Sequence, residues 1–219
     1  MTLAKLEEYL ETFENDVSKI EISSENFLYI HSTVEGYWKR LLFIGIRANG
    51  VQYEMAKEVM KKVNLSANAT VEKAQSLLET EFPEIKNYFK SNTDLGILME
   101  LFRTFCSPYR NWCIHGVMDA GKDTLQLCIY VNILLIKELE KTLEANNLPS
   151  AFDRPRKFLT IGKITNPIDA DAEAVMKRLG FDKRATQPIT KEKVIEKTHE
   201  LQNINIKEIL LTLIKQGEK

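Results

Sequence analysis

The segment that most constrains the fold is an apolar run between Asp123 and Asn146. Its apolar residues cover most of the circumference of a helix; they are Leu125, Leu127, Ile129, Val131, Leu134, Leu135 and Leu139. Charged residues appear only near its end, from Lys137 to Lys141. A helix that is apolar on nearly all sides normally forms the centre of a bundle. We therefore predict an all-α fold, a helical bundle with this helix at its centre.

Other helices are predicted from apolar residues spaced three and four positions apart, which share one helical face. The first covers residues 3–20, and the second starts at Ser23 or Ser24 and stops at Asn49-Gly50. Ser107-Pro108 is typical of a helix start, with an N-cap serine before a proline at the first helical position. Shorter helices are expected at about 51–63, 71–80 with Thr70 as the cap, 83–90 and 94–106.

Three prolines, Pro149, Pro155 and Pro167, predict a boundary near residue 150. We expect a helical bundle over residues 1–147, a linker or irregular arm over 148–169, and a small helical C-terminal unit over 170–219. The remaining expectations concern shorter elements: a possible strand at 157–164, a helix at 170–179, a helix capped by Thr190 and another starting at Asn205.

Charge is divided unevenly along the chain. Residues 1–150 carry 16 basic and 21 acidic side chains, whereas residues 151–219 carry 14 and 10. The strongly basic footprint of a DNA-binding domain is therefore missing. A short basic stretch could still meet a phosphate backbone, although such a run is more often a solvated surface; it consists of Arg154, Arg156, Lys157 and Lys163.

The cysteines favour a cytoplasmic protein with reduced thiols, because three of them occur without a paired Cys-x-x-Cys spacing. We expect no signal peptide and no membrane anchor, since no apolar run reaches the roughly 20 residues that a membrane span requires. The three cysteines and three histidines lack the spacing of zinc ligands, and no glycine-rich phosphate loop follows a predicted strand. We therefore predict no metal site and no cofactor.

The clearest chemical pattern is Ser-Pro-Tyr-Arg-Asn-Trp-Cys-Ile-His at residues 107–115. His115 can transfer a proton near neutral pH, and Arg110 carries a fixed positive charge that can hold two phosphate oxygens at once. On an ideal helix Asn111 and His115 share a face, but Arg110 and His115 diverge by about 140°. One helix cannot easily close both on one phosphate, whereas two copies facing each other across a twofold axis could.

The pattern Arg110-Asn111-x-x-x-His115, followed by Gly116, resembles the signature of the HEPN family, the higher-eukaryote and prokaryote nucleotide-binding helical domain. The resemblance covers residues 1–147 and is to the stand-alone prokaryotic ribonucleases. It implies a metal-independent endoribonuclease in which a 2′-hydroxyl attacks the adjacent phosphate and leaves a 2′,3′-cyclic phosphate. Arg110, Asn111 and His115 would be the catalytic residues. The resemblance further implies a homodimer with a composite site, acting in defence, as a toxin or in stress response.

Two further residues could support RNA binding. Glu35, one helical turn after His31, could pair with Arg110 or orient His115, although a solvated glutamate on a long helix is commoner. Tyr109 could stack a base, although an aromatic residue beside an apolar bundle more often belongs to the core.

Other readings of the motif remain open. The main alternative is a non-catalytic HEPN-like module that binds RNA or a nucleotide, or that serves as a dimerisation face for an antitoxin or another regulatory protein. A structural adaptor is a third reading. Arg110 and His115 favour the nuclease, because a pure scaffold would need neither side chain.

Overall fold

The computed structural model describes residues 3–114, 121–153 and 171–181. Of these residues 78% are helical, and no strand occurs among them. The prediction of an all-α fold is confirmed. In the same described ranges, no helix has the length and apolar character needed to cross a membrane.

Nine α-helices make up most of the described chain: α1 Leu3–Asn15, α2 Ser24–Ala48, α3 Tyr53–Lys62, α4 Ala67–Glu81, α5 Ile85–Tyr88, α6 Asp94–Leu101, α7 Ser107–Ile114, α8 Lys122–Ala145 and α9 Ala172–Arg178. A 3₁₀ turn, Val17–Lys19, follows α1. A π-helical segment, Phe102–Cys106, lies between α6 and α7.

The two longest helices, α2 and α8, lie where the apolar periodicity predicts them. After α2 the chain turns at Gly50, whose φ of 79° is a left-handed conformation that glycine adopts at low cost. In α8 the buried side chains occupy most of the helix circumference; they are Leu125, Cys128, Ile129, Val131, Ile133, Leu134, Leu135, Ile136, Leu139 and Leu143. Helix α8 is therefore buried on most of its sides, as its apolar sequence predicts.

Two helix starts differ from their predictions. α4 begins at Ala67, because Ser66 is its cap and accepts a hydrogen bond from the backbone N–H of Ala69 at 3.3 Å. Thr70, the predicted cap, lies inside the helix and donates its hydroxyl to the carbonyl of Ser66 at 2.9 Å. The helix predicted over 83–90 is shorter and covers only Ile85–Tyr88.

The described chain forms two compact units. The first contains the described residues of Met1–Val34 and Tyr88–Leu139, and the second contains those of Glu35–Asn87 and Glu140–Gln187. Helices α2 and α8 each contribute residues to both units. Residues 154–170 and 182–219, which carry most of the predicted arm and C-terminal unit, lie outside the described residues. The predicted division at 147 and 169, together with the possible strand at 157–164, therefore stays a prediction.

In the second unit the chain after α8 is attached to α2. The carboxylate of Glu140 accepts hydrogen bonds from the hydroxyl of Tyr37 and from the backbone N–H of Ala151, the latter at 3.1 Å. The guanidinium of Arg40 donates to the carbonyl of Ala151. The Tyr37 ring is buried and its centroid lies 5.3 Å from that of Phe152. Residues 151–153 therefore pack on α2 within the second unit.

Helix α9, predicted over 170–179, belongs to the same unit. Asp171 caps its start by accepting hydrogen bonds from two backbone N–H groups, both at 2.9 Å. After its end Gly180 has a φ of 69°. Lys73 of α4 donates to the carbonyls of Leu179 and Gly180, and its ammonium lies 5.0 Å from the ring centroid of Phe181. This lysine therefore satisfies carbonyls at the C-terminal end of α9.

Candidate functional site

The candidate motif lies on a helical run that begins earlier than predicted. From residue 94 to residue 114, α6, the π-helical segment and α7 follow one another without interruption. Ser107 has helical dihedral angles, φ −67° and ψ −46°, and its backbone N–H donates to the carbonyl of Phe102. The N-cap of the run is instead Thr93, whose hydroxyl accepts from the N–H of Gly96 at 3.0 Å. Helix α7 therefore begins at Ser107 as predicted, but as the continuation of a longer helical run, and the prediction that Ser107 is its N-cap is wrong.

Pro108 lies inside this run, and the π-helical segment before it provides the physical reason. A proline inside a helix has no N–H to donate, and its ring collides with the carbonyl four residues earlier. The π-helical hydrogen bond reaches five residues back, which widens the backbone ahead of the proline. Because the helix continues through Ser107, the helix N-terminus expected beside Arg110 is not there, and its dipole cannot support anion binding.

Arg110 and Asn111 form a hydrogen-bonded pair on α7. Nη1 of Arg110 donates to Oδ1 of Asn111 at 3.0 Å. Asn111 is exposed and Arg110 is partly exposed, whereas the Nε atom of Arg110 is buried. The guanidinium thus has one edge inside the protein and another next to a surface amide. Two of the three predicted catalytic residues therefore lie together at the surface of the first unit.

The third predicted catalytic residue, His115, lies outside the described residues. Helix α7 ends at Ile114, immediately before it, and the description resumes at Gly121. The Ile114 side chain is 48% exposed. The position of the imidazole relative to Arg110 and its role in proton transfer stay predictions.

Tyr109 belongs to the core of the first unit. It is 5% exposed, and its ring stacks on that of Phe105 with centroids 5.8 Å apart and planes at 13°. Burial raises the pKa of its hydroxyl to about 12. A base could stack on this ring only if the ring left its contact with Phe105. The arrangement therefore favours the core role over base stacking.

Glu35 is partly exposed on α2 and falls in the second compact unit, whereas Arg110 falls in the first. Its pairing with Arg110 or His115 stays a prediction.

A residue to which the sequence assigned no chemistry, His31, is buried in the same unit as Arg110. It is 0% exposed, and its ring stacks on that of Phe102 with centroids 5.0 Å apart and planes at 19°. Burial lowers its pKa to about 3, and the positive charge of Arg110 acts in the same direction. His31 is therefore neutral near pH 7. Its spacing of four from Phe27 places it on the apolar face of α2, and this was the signal available in the sequence.

The cysteines of the first unit are free thiols: Cys106 and Cys128 are buried, and Cys113 is partly exposed. Burial raises the pKa of Cys113, so its thiol is less easily ionised than usual. This does not favour a cysteine nucleophile. Across the described ranges, no three His, Cys, Asp or Glu side chains gather in a group that could hold a metal ion.

Comparison with known proteins does not identify a family for this chain. No family model, no curated protein and no solved structure matches the chain. The HEPN resemblance therefore rests on residues 110–116 and on the helical pattern, and it stays a prediction.

Proposed function

We propose that this protein is a metal-independent endoribonuclease that cleaves RNA by attack of a 2′-hydroxyl on the adjacent phosphate. The products would carry a 2′,3′-cyclic phosphate and a 5′-hydroxyl. The observation that carries the proposal is the Arg110–Asn111 pair, an arginine with a hydrogen-bonded guanidinium at the surface of α7. The match of residues 110–116 to the HEPN pattern supports the same activity.

Arg110 would stabilise the negative charge that develops on the phosphate oxygens during attack. A guanidinium is planar, keeps its charge at all physiological pH values and can hold two phosphate oxygens at once. The hydrogen bond to Asn111 restricts its orientation before RNA arrives. A donor that is already oriented toward the developing charge stabilises the transition state without reorganisation.

His115 would transfer the protons. One imidazole takes the proton of the attacking 2′-hydroxyl, and a protonated imidazole supplies a proton to the departing 5′-oxygen. A histidine with an ordinary pKa of about 6.5 is present in both forms near neutral pH. Two copies of His115, one from each chain of a dimer, could divide these two roles.

The site requires a homodimer in this proposal, because Arg110 and His115 diverge on one helix. Ile114 is a large apolar side chain exposed beside Arg110, and a second copy would cover it. Light scattering should give about twice the chain mass of 25.2 kDa. Ile114→Glu should shift the protein toward monomer and reduce cleavage, because it places a charge in that interface. A monomer with full activity would contradict the composite site.

The central experiment incubates the purified protein with total RNA and transfer RNA in EDTA and maps the ends of the fragments. His115→Ala should lower cleavage by roughly 10²- to 10⁴-fold, the usual contribution of a positioned general acid or base. Arg110→Ala should lower it comparably, and Arg110→Lys should restore little, since an ammonium cannot form the planar two-donor contact. Arg103→Lys, the same change seven residues earlier on the same helical run, is the matched control and should stay active.

Thermal melts must accompany these assays, and each variant should melt as the wild type does. Cleavage by His115→Ala at the wild-type rate, or loss of wild-type activity in EDTA, would refute the mechanism. If no condition yields cleavage while RNA binds and Arg110→Ala abolishes that binding, the non-catalytic RNA-binding module replaces the nuclease. The setting in defence, toxin activity or stress response is proposed by analogy with small proteins that resemble the family.

A further inference from the structure

Two tyrosine side chains lie against each other at the surface of the first unit. Tyr9 of α1 and Tyr29 of α2 are both partly exposed. Their ring centroids are 6.1 Å apart and the ring planes meet at 61°, which is an edge-to-face arrangement. Both rings therefore reach solvent while they contact each other. We call these two residues the tyrosine pair.

An ammonium group of the chain itself lies on this pair. Lys5, one helical turn before Tyr9 on α1, places its Nζ atom 5.0 Å from the centroid of the Tyr29 ring. The face of an aromatic ring is negative and attracts a cation within about 6 Å of the centroid. Lys5 is exposed, so its ammonium can return to solvent. The lysine thus marks a place where a cation is bound and from which it can be displaced.

The Tyr9 ring is held by a chain of hydrogen bonds. Its hydroxyl donates to Oδ1 of Asn26, which is 9% exposed. Asn26 donates from Nδ2 to the carbonyl of Glu21 at 2.7 Å, and its backbone N–H donates to the Ser23 hydroxyl at 3.2 Å. The orientation of this ring is therefore fixed before a ligand arrives, which reduces the entropy that binding would cost.

The charges around the tyrosine pair favour a cation over an anion. Three glutamates neighbour the pair along the chain: Glu8 on α1, Glu21 before α2, and Glu25 one helical turn before Tyr29. All three are exposed, and they outnumber the single ammonium of Lys5. A phosphate would be repelled by these carboxylates, whereas a positively charged ligand would be attracted.

We propose that the tyrosine pair is a binding site for a small quaternary ammonium ion, which displaces the ammonium of Lys5. A lysine ammonium is strongly hydrated through its three N–H donors. Methyl groups replace those donors in a quaternary ammonium, so this ion gives up fewer hydrogen bonds with water when it contacts the rings. Aromatic side chains are the usual recognition groups for such ions. The site is independent of the proposed nuclease function.

Choline is the probe, titrated into the full-length protein while the NMR signals of the tyrosine rings are followed. Tyr29→Leu removes the ring under the ammonium and should abolish binding. Lys5→Ala removes the competing cation and should tighten binding about two- to fivefold, the factor that corresponds to one exposed cation–π contact. Tyr53→Leu is the matched control: this ring of the second unit also has a lysine ammonium near it, that of Lys57 at 5.6 Å, but Lys57 is paired with Glu54 at 2.8 Å. Its choline affinity should equal that of the wild type.

Two further probes separate charge from shape and identify the source of the ion. The neutral carbon analogue of choline, in which a tert-butyl group replaces the trimethylammonium group, should not bind, because it lacks the charge that the rings attract. Phosphocholine should bind more weakly than choline, because the glutamates repel its phosphate. Vesicles of phosphatidylcholine should not retain the protein for the same reason, and their retention of the protein would overturn the assignment to a free ion.

Binding of the neutral analogue as tightly as choline, or wild-type choline affinity in folded Tyr29→Leu, would overturn the proposal. Thermal melts establish that each variant is folded. If Tyr29→Leu does not fold, Lys5→Ala decides, since this change replaces only an exposed side chain. Unchanged or weaker choline binding in Lys5→Ala would then overturn the proposal.

Discussion

Acidification should destabilise the protein through His31, and the size of the effect follows from its burial. Its pKa is about 3 in the folded protein, whereas an imidazole in an unfolded chain titrates near 6.5. Between these two pH values the unfolded chain binds a proton that the folded protein does not. The free energy of unfolding should therefore stay constant above pH 6.5 and fall by about 1.4 kcal/mol per pH unit below it, until about pH 3.

The summed effect is about 5 kcal/mol at pH 3, a large fraction of the stability of an ordinary domain. Carboxylates and other histidines also titrate in this range, so the wild type must be compared with His31→Phe. Both proteins contain His115 and His199, whose contributions cancel in the difference. Urea unfolding from pH 7 to pH 4 should show His31→Phe gaining about 3 kcal/mol relative to the wild type.

Parallel pH profiles for the two proteins would refute this reasoning, because they would mean that His31 takes up protons equally in the folded and unfolded states. If the wild type instead became more stable than His31→Phe as the pH falls, the predicted effect of His31 on stability would have the wrong sign. Either result would place solvent or a negative charge beside a ring that the structure buries between aromatic side chains.

The remaining predictions concern stability and are measured by urea unfolding. Glu140→Ala removes the acceptor shared by the Tyr37 hydroxyl and the Ala151 N–H and should lower the free energy of unfolding by about 2–4 kcal/mol. Tyr37→Phe removes only one of these hydrogen bonds and should lower it by about 1 kcal/mol. Equal losses in the two variants would contradict the idea that Glu140 serves both donors. Gly96→Ala would place its Cβ 1.8 Å from a backbone carbonyl oxygen and should cost about 3 kcal/mol or more. Gly36→Ala, whose Cβ would meet nothing within 4 Å, should instead stabilise α2 by about 0.5–1 kcal/mol. If both alanine variants lost similar stability, the predicted clash at Gly96 would be contradicted.

The long helices could be predicted because their signal is repeated many times. In α2 and α8 the apolar residues recur at helical spacing over six or more turns, and one unfavourable position changes little. Helix starts depend on one or two residues. Ser66 and Thr70 are both suitable caps, and the structure uses the earlier one. Helix boundaries are therefore harder to predict from the local sequence than the helices themselves.

Ser107-Pro108 shows how tertiary packing overrides a local signal. The dipeptide suits the start of a helix, and it also fits inside one when the preceding turn widens to π geometry. Phe102, Phe105 and Cys106 are all buried, so this turn is packed on the core and continues the run from Thr93. Nothing within a few residues of the proline could distinguish the two arrangements, because the deciding contacts come from distant helices.

The sequence alone determined the all-α class, the long helices and the adjacency of Arg110 and Asn111, because each depends on spacing along the chain. Only the tertiary structure decided that Tyr109 is buried against Phe105 and that His31 is buried against Phe102. The physical reason is that burial and pKa depend on neighbours from other helices. A histidine on the apolar face of α2 becomes a buried, neutral imidazole only when the helices pack together.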